Sequence, residues 1–343
     1  MSIAAQASDA EPPFGESAKP NPWSRLLTVA KIAVAAGLLV LLYHQARQHE
    51  SLDQLVSHPK DWPLLFASLV VVVMALAVSF VRWHVVIRSA GLVFPLAQAF
   101  RLGAMGHALS FVGPGAVGGD LFKAVAVARG HKGDVTAALT TIAVDRVFGL
   151  VSKLAFAAAA FLVALNAGAE MAAEVRVAGW LFVAWALGVL ALGGALLAPG
   201  LAGPAVRHTL SRLPLVGGLL ARLVAAWLIY RRNKALLGLA FALSLVVDLL
   251  LVLSFYFVAV GLPLQAPSLA WHLFIVPMGL VAGAVPLTPA GLGTRELVID
   301  TLYSGMGYGE GQGALIAFAH FLVMLAAGGV ATLYYLASSR KKG

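Results

Sequence analysis

The chain has 343 residues, 60% of them hydrophobic and only 11% charged, with a formal net charge of +9 and a mean hydropathy of +0.89. Soluble domains run near 45–50% apolar and about 25% charged, so this composition excludes a soluble globular protein, a disordered chain and a nucleic-acid-binding domain. There is no cysteine, which removes disulfides, thiol catalysis and Cys-ligated metals, and the remaining class is an all-α integral membrane protein.

Residues 1–25 are polar, lack the basic start and cleavage site of a signal peptide, and read as a disordered cytoplasmic tail. Apolar stretches follow at 26–43, 63–87, 95–112, 135–165, 176–199, 235–260, 268–287 and 311–336. A spanning helix takes about 20 apolar residues, so six of these eight segments read as full spans. The other two, 95–112 and 268–287, each stop at a Pro/Gly cluster and resume as a short helix carrying charge. Residues 204–234 place Leu213, Val216, Leu220, Leu223 and Trp227 at helical spacing among arginines, which predicts an amphipathic helix on the cytoplasmic surface. Residues 26–338 thus form one transmembrane domain, followed by a short basic tail at 339–343.

Lys/Arg placement orders the segments. With a cytoplasmic N-terminus, 17 of the 24 basic residues fall on cytoplasmic pieces, Arg82 among them. Arg47, Lys60 and Arg176 fall outside, and Lys123, Arg146, Lys153 and Arg295 lie at membrane depth. This asymmetry puts both termini in the cytoplasm and explains most of the net charge without an anionic partner. Segment 88–134 is basic at both ends, so it enters from the cytoplasm and returns there. Segment 262–310 has no basic residue at either end, so it enters and returns outside. The two are helical hairpins of opposite orientation, an inverted-repeat-like arrangement.

The break in the first hairpin holds Gly113, Pro114, Gly115, Gly118 and Gly119, followed by Asp120 and Lys123. The second holds Pro286, Thr288, Pro289, Gly291 and Gly293, followed by Arg295 and Glu296. Superposing them brings Pro114 onto Pro289, Gly118 onto Gly293 and Asp120 onto Arg295. Such breaks free N–H groups at the start of a half-helix, where the dipole attracts an anion such as a phosphate. Non-helical backbone at this depth also calls for a polar cavity. The G-x-G-x-x-G at 113–118 is no dinucleotide fingerprint, because an apolar helix and not a strand precedes it.

Nine ionisable residues lie at membrane depth: Asp120, Lys123, Asp145, Arg146, Lys153, Asp248, Arg295, Glu296 and Asp300. Each costs roughly 2.5–3.5 kcal/mol at a helix centre, so mutual pairing is required. Asp145 and Arg146 point about 100° apart; Asp145 is expected to take a base from another segment while Arg146 faces the cavity. Asp248 has only Ser244 as a local helper and needs a distant partner. Arg295 is expected to find Asp120, another acid of the bundle or a lipid phosphate. Lys153 and Asp300, read as near helix ends, are expected to be structural ion pairs. Loop positions are expected for His44, His49 and His58. No H-E-x-x-H, G-x-S-x-G or histidine cluster with ligand spacing occurs, so no catalytic residue, metal or cofactor is expected.

The set G-P-G-x-x-G-G-D at 113–120, V-D-R at 144–146 and P-L-T-P-A-G-L-G-T-R-E at 286–296 resembles the membrane (flippase) domain of lysylphosphatidylglycerol synthetases and their stand-alone relatives. The resemblance covers roughly residues 25–338. It implies a protein of the cytoplasmic membrane that moves a phospholipid or lipid-linked head group between leaflets, with the two breaks, Asp145 and Arg146 as its working parts. The synthetases' soluble aminoacyl-tRNA-using domain is expected to be absent, so transferase activity is not inherited. A membrane subunit presenting lipid to a separately encoded lipid-modifying enzyme is the alternative, and a membrane transferase a more remote one.

Overall fold

The computed structural model describes residues 22–48, 51–112, 116–130, 135–168, 170–197, 233–285, 288 and 291–340. Among them every regular element is helical: α1 (Pro22–Gln48), α2 (Ser51–Ser57), α3 (Trp62–Ser89), α4 (Leu96–Val112), α5 (Ala116–Gly130), α6 (Val135–Asn166), α7 (Ala173–Leu197), α8 (Lys234–Gly261), α9 (Leu269–Ala284), α10 (Thr294–Ser304) and α11 (Gln312–Arg340). Five of these helices, α3, α6, α7, α8 and α11, are long and apolar enough to cross a membrane. The sixth expected span lies in α1, a continuous helix of 27 residues. The fold is that of an all-α membrane protein.

Some boundaries move. Helix α1 opens at Pro22, inside the expected tail, and runs to Gln48, so His44 is helical and not in a loop. The final helix continues to Arg340, past the expected end of the domain. Most of the proposed amphipathic helix, together with Gly113, Pro114, Gly115, Pro286 and Pro289, lies outside the described residues.

Helices α3 and α8 form an antiparallel pair. At one end the Asp61 N–H donates to the Gly261 carbonyl (2.9 Å), and at the other Asn233 Nδ2 donates to the Ser89 carbonyl (3.4 Å). Between them the Ser68 and Ser254 hydroxyls meet at 2.8 Å. With 28 residues each, at 1.5 Å per residue, the two ends stand about 42 Å apart.

The other loops sort onto these ends. At the Asp61 end, Gln265 N–H donates to Gln312 Oε1, Ser51 Oγ to the Glu310 carbonyl, and Ala172 N–H to the Gly305 carbonyl. At the Ser89 end, Trp83 packs with Phe94, Val127 and Ala128, and Arg101 stacks over Tyr335. The α4–α5 hairpin therefore opens at the Ser89 end and the α9–α10 hairpin at the Asp61 end. They enter the bundle from opposite ends, as the charge parity requires.

Glycine lets each hairpin close. A Cβ on Gly119 would run into the carbonyl oxygen of Gly106, so only a residue without one allows α4 and α5 this approach. In the second hairpin Gly291, at φ +71°, sits against the Gly283 backbone in the same way. Both tips reach α11, where Phe321 packs against Phe111 (6.0 Å) and beneath the Arg295 guanidinium (5.6 Å).

Candidate functional site

Helix α6 is the spine of the polar interior, and each of its charges faces a different neighbour. Asp145 accepts a bidentate pair from Arg82 of α3, Nε at 2.9 Å and Nη2 at 3.0 Å. Arg82 Nη1 also donates to Ser244 of α8 at 3.2 Å. The Arg82 side chain is only 8% exposed, so it belongs to the bundle interior and not to the cytoplasmic pieces where the charge count put it. Ser244 thus serves Arg82 and not Asp248.

Asp248 of α8 takes its partners from α6: Ser152 Oγ donates at 2.5 Å and Lys153 Nζ at 2.7 Å. Lys153 lies mid-helix, eighteen residues after Val135, and not near an end. With Asp248 only 1% exposed on its side chain, this pair is a buried brace between α6 and α8.

The third charge on α6 differs in its surroundings. Arg146 holds Asp120 of α5 through Nε and Nη2, both at 2.8 Å, yet its own side chain is 54% exposed. It stands seven residues inside the membrane-crossing part of α6, or about 10 Å along the helix. Lys123, one turn beyond Asp120, lies 5.2 Å from the Trp83 ring and within electrostatic reach of Asp120, Asp145, Arg146 and Arg82. Its alkyl chain lies against Gly106. His107 of α4 faces the same group, near Lys123 and Arg146, and its Nε2 has no partner among the described residues.

The second break is closed by its own charges. Arg295 pairs with the adjacent Glu296 and donates from Nη2 to the Ala317 carbonyl at 3.2 Å. Glu296 Oε2 accepts the Gly293 N–H at 2.7 Å, so the first free donor of α10 is used within the helix itself. Gly293 holds φ +84° at this cap, pressed against Leu38 of α1. Of the candidate partners for Arg295, Asp120 is committed to Arg146, and an acid of the bundle, Glu296, takes its place. Thr288 is buried with Oγ1 unpartnered among the described residues. Asp300 makes no ion pair among the described residues; it accepts the N–H groups of Gly311 and Ala314 (both 3.1 Å) and caps the start of α11.

The candidate site residues therefore separate into a group around the exposed Arg146, with Asp120 and Lys123 half-buried beside it, and buried braces, Asp145, Asp248, Arg295 and Glu296. Gly118 and Gly119 shape the first turn of α5, and Gly291 and Gly293 that of α10. Sequence reasoning missed Trp83, His107, Phe111 and Phe321, which give no signal beyond being ring-bearing residues in apolar helices. No group of His, Asp and Glu able to hold a metal occurs among the described residues.

The sequence matches the family described as the lysylphosphatidylglycerol synthase TM region over residues 28–331. The chain belongs to that family. Its match includes both hairpins and every ion pair described above, so the lysylphosphatidylglycerol synthase TM region takes in all of the bundle but the first residues of α1 and the end of α11. Among curated proteins none matches the chain. Membership makes it a membrane protein of lipid-related function.

Proposed function

We propose that the protein is a flippase-like transporter that moves a phospholipid or lipid-linked head group between the leaflets of the cytoplasmic membrane, with both termini in the cytoplasm. The observation that carries this reading is Arg146, more than half exposed while standing inside a membrane-crossing helix. An arginine facing hydrocarbon at that depth costs at least about 2.5–3.5 kcal/mol. A water-filled cleft or a lipid phosphate removes that cost, and the planar guanidinium matches a phosphate through paired donors.

In this reading the phosphate replaces the Asp120 carboxylate on Arg146, exchanging one bidentate partner for another while the acyl chains stay in the bilayer. The opposed hairpins supply the path. The second, held shut by Arg295, Glu296 and the glycine contacts, is the fixed wall; the first, held by an accessible ion pair, carries the head group. The protein acts here as a carrier and not as a transferase, with no cofactor.

The test is lipid flipping by purified protein in vesicles containing a trace of acyl-labelled fluorescent phosphatidylglycerol. A membrane-impermeant quencher reports the outer-leaflet fraction. Transport predicts quenching that proceeds past the outer-leaflet half at a rate rising with protein content. Quenching that stops at half, as in protein-free vesicles, contradicts it.

A further inference from the structure

His320 of α11 is buried beside the second hairpin, and its Nδ1 has no partner among the described residues. Its Nε2 lies 3.2 Å from Ser254 Oγ, where the Ser68 and Ser254 hydroxyls each donate to the other's carbonyl (2.9 and 3.2 Å). In that arrangement Nε2–H donates to Ser254, and Nδ1 presents a bare lone pair able to take a proton. Arg295 reaches the same stretch of α11 from α10, donating to the Ala317 carbonyl one turn before His320, and lies within electrostatic reach of the ring. Glu296 stands behind it as its ion-pair partner.

A column of titratable groups leads to this ring from the Asp61 end, the outer one in the topology proposed. His272 of α9 donates from Nδ1 to the Ser268 carbonyl (2.9 Å), so its Nε2 accepts from the Tyr303 hydroxyl (2.7 Å). The Phe255 ring of α8 stands between the two histidines, 5.7 Å from His272 and 5.1 Å from His320. Counted from the starts of α9 and α11, His272 lies about 5 Å deep and His320 about 12 Å. On the inner side Phe321 packs against Phe111, and Phe111 against His107 (5.2 Å), which faces Arg146. A short aromatic bridge thus joins His320 to the Arg146 cavity. Chains of acids and histidines inside a membrane are the usual material of proton relays, and coupling-ion sites sit near the interface of opposed repeats.

Resting on the transport reading above, we infer that His320 is a proton-binding site and that a proton and the lipid phosphate cross the membrane together. His320, Arg295 and Glu296 carry no net charge while the imidazole is neutral, and one positive charge once Nδ1 binds a proton. That charge stands next to an arginine in a dry interior, so it needs an anion, and the phosphate on Arg146 is the one that the transport cycle brings. By reciprocity the proton and the phosphate raise each other's affinity by the same factor. A unit charge at about 15 Å in an effective dielectric of about 20 makes that factor roughly sixfold. The proton enters from water at the Asp61 end past Tyr303 and His272, binds at Nδ1, and leaves to the water of the Arg146 cavity when that opens to the opposite face.

The experiment uses vesicles with acyl-labelled phosphatidylglycerol in both leaflets, a pH gradient of one unit in either direction, and the membrane potential held at zero with potassium and valinomycin. An impermeant quencher then reads the outer-leaflet fraction as a fast phase and flipping as a slow one. Wild type should move label away from the acid side, below half outside when the exterior is acid and above half when the interior is, towards a leaflet ratio of about tenfold for one-to-one coupling. A protonophore should return the fraction to half. His320→Gln and His320→Phe, which hold no proton, should stay at half under both gradients. Wild type that stays at half while the slow phase proceeds overturns the coupling and leaves transport intact. Loss of the slow phase as well contradicts transport itself, and the coupling with it. A folded His320 variant that keeps the wild-type shift removes the proton site from His320. Should neither variant fold, the wild-type distribution decides.

Discussion

Replacing Asp145 by Asn leaves the Arg82 guanidinium, with a side chain 8% exposed, without its carboxylate. Two hydrogen bonds of 2.9 and 3.0 Å to a carboxylate give way to donation from the still-charged guanidinium to a neutral amide oxygen. Breaking a buried ion pair from one side costs about 3–5 kcal/mol, a large share of the roughly 5–15 kcal/mol that holds a typical protein folded. Arg146→Gln breaks a pair whose cation is 54% exposed, and exposed pairs are worth about 0–1 kcal/mol. Adjacent residues on one helix should therefore differ by several kcal/mol. The assay is detergent-solubilised yield by size-exclusion chromatography together with the thermal unfolding midpoint. Asp145→Asn should lose most of its folded yield, Arg146→Gln should stay near wild type, and the double change Arg82→Met with Asp145→Leu should recover much of the loss, because no lone charge remains. Equal yields for the two single variants would refute the division into brace and accessible site.

Gly119→Val should sharply reduce folded yield, since its side chain would enter the space held by the Gly106 carbonyl, while Gly188→Ala, with open space around it, should be silent; solubilised yield reads both. Asp300→Ala should lower the thermal midpoint by uncapping α11, at a cost near 1 kcal/mol, whereas Asp300→Asn should keep much of the effect through its remaining acceptor. In this cysteine-free chain, single cysteines at Ser57 and Val93 should label from opposite faces of the membrane, Ser57 from outside; labelling of both from one face would contradict the hairpin topology.

The spans were legible because a 30 Å apolar solvent imposes length and hydropathy directly on the sequence. The opposed hairpins were legible through charge parity, which follows the chain and needs no knowledge of packing. Pairing was legible where no local partner suffices: Asp145 and Arg146, about 100° apart on α6, take partners on different helices, and Asp248 finds Ser152 and Lys153 on α6. It failed where partners are chosen by helix packing. Arg82 read as a cytoplasmic charge because nothing local shows that α3 carries it to Asp145 on α6. For Arg295 the sequence left Asp120, another acid of the bundle and a lipid phosphate open; in the structure Glu296, fixed by its bond to Gly293 N–H, is the acid beside it. Phe321 joins the two hairpin tips, yet no periodicity marks it among the other phenylalanines.

The central claim, that Arg146 captures a lipid phosphate, is tested most directly by the phosphatidylglycerol flipping rate per reconstituted protein for wild type, Arg146→Lys and Arg146→Gln, each matched for folded content. The account predicts a rate that falls in that order, with Lys keeping part of the activity as a point charge and Gln losing nearly all of it. A well-folded Arg146→Gln protein that flips lipid at the wild-type rate would contradict the account.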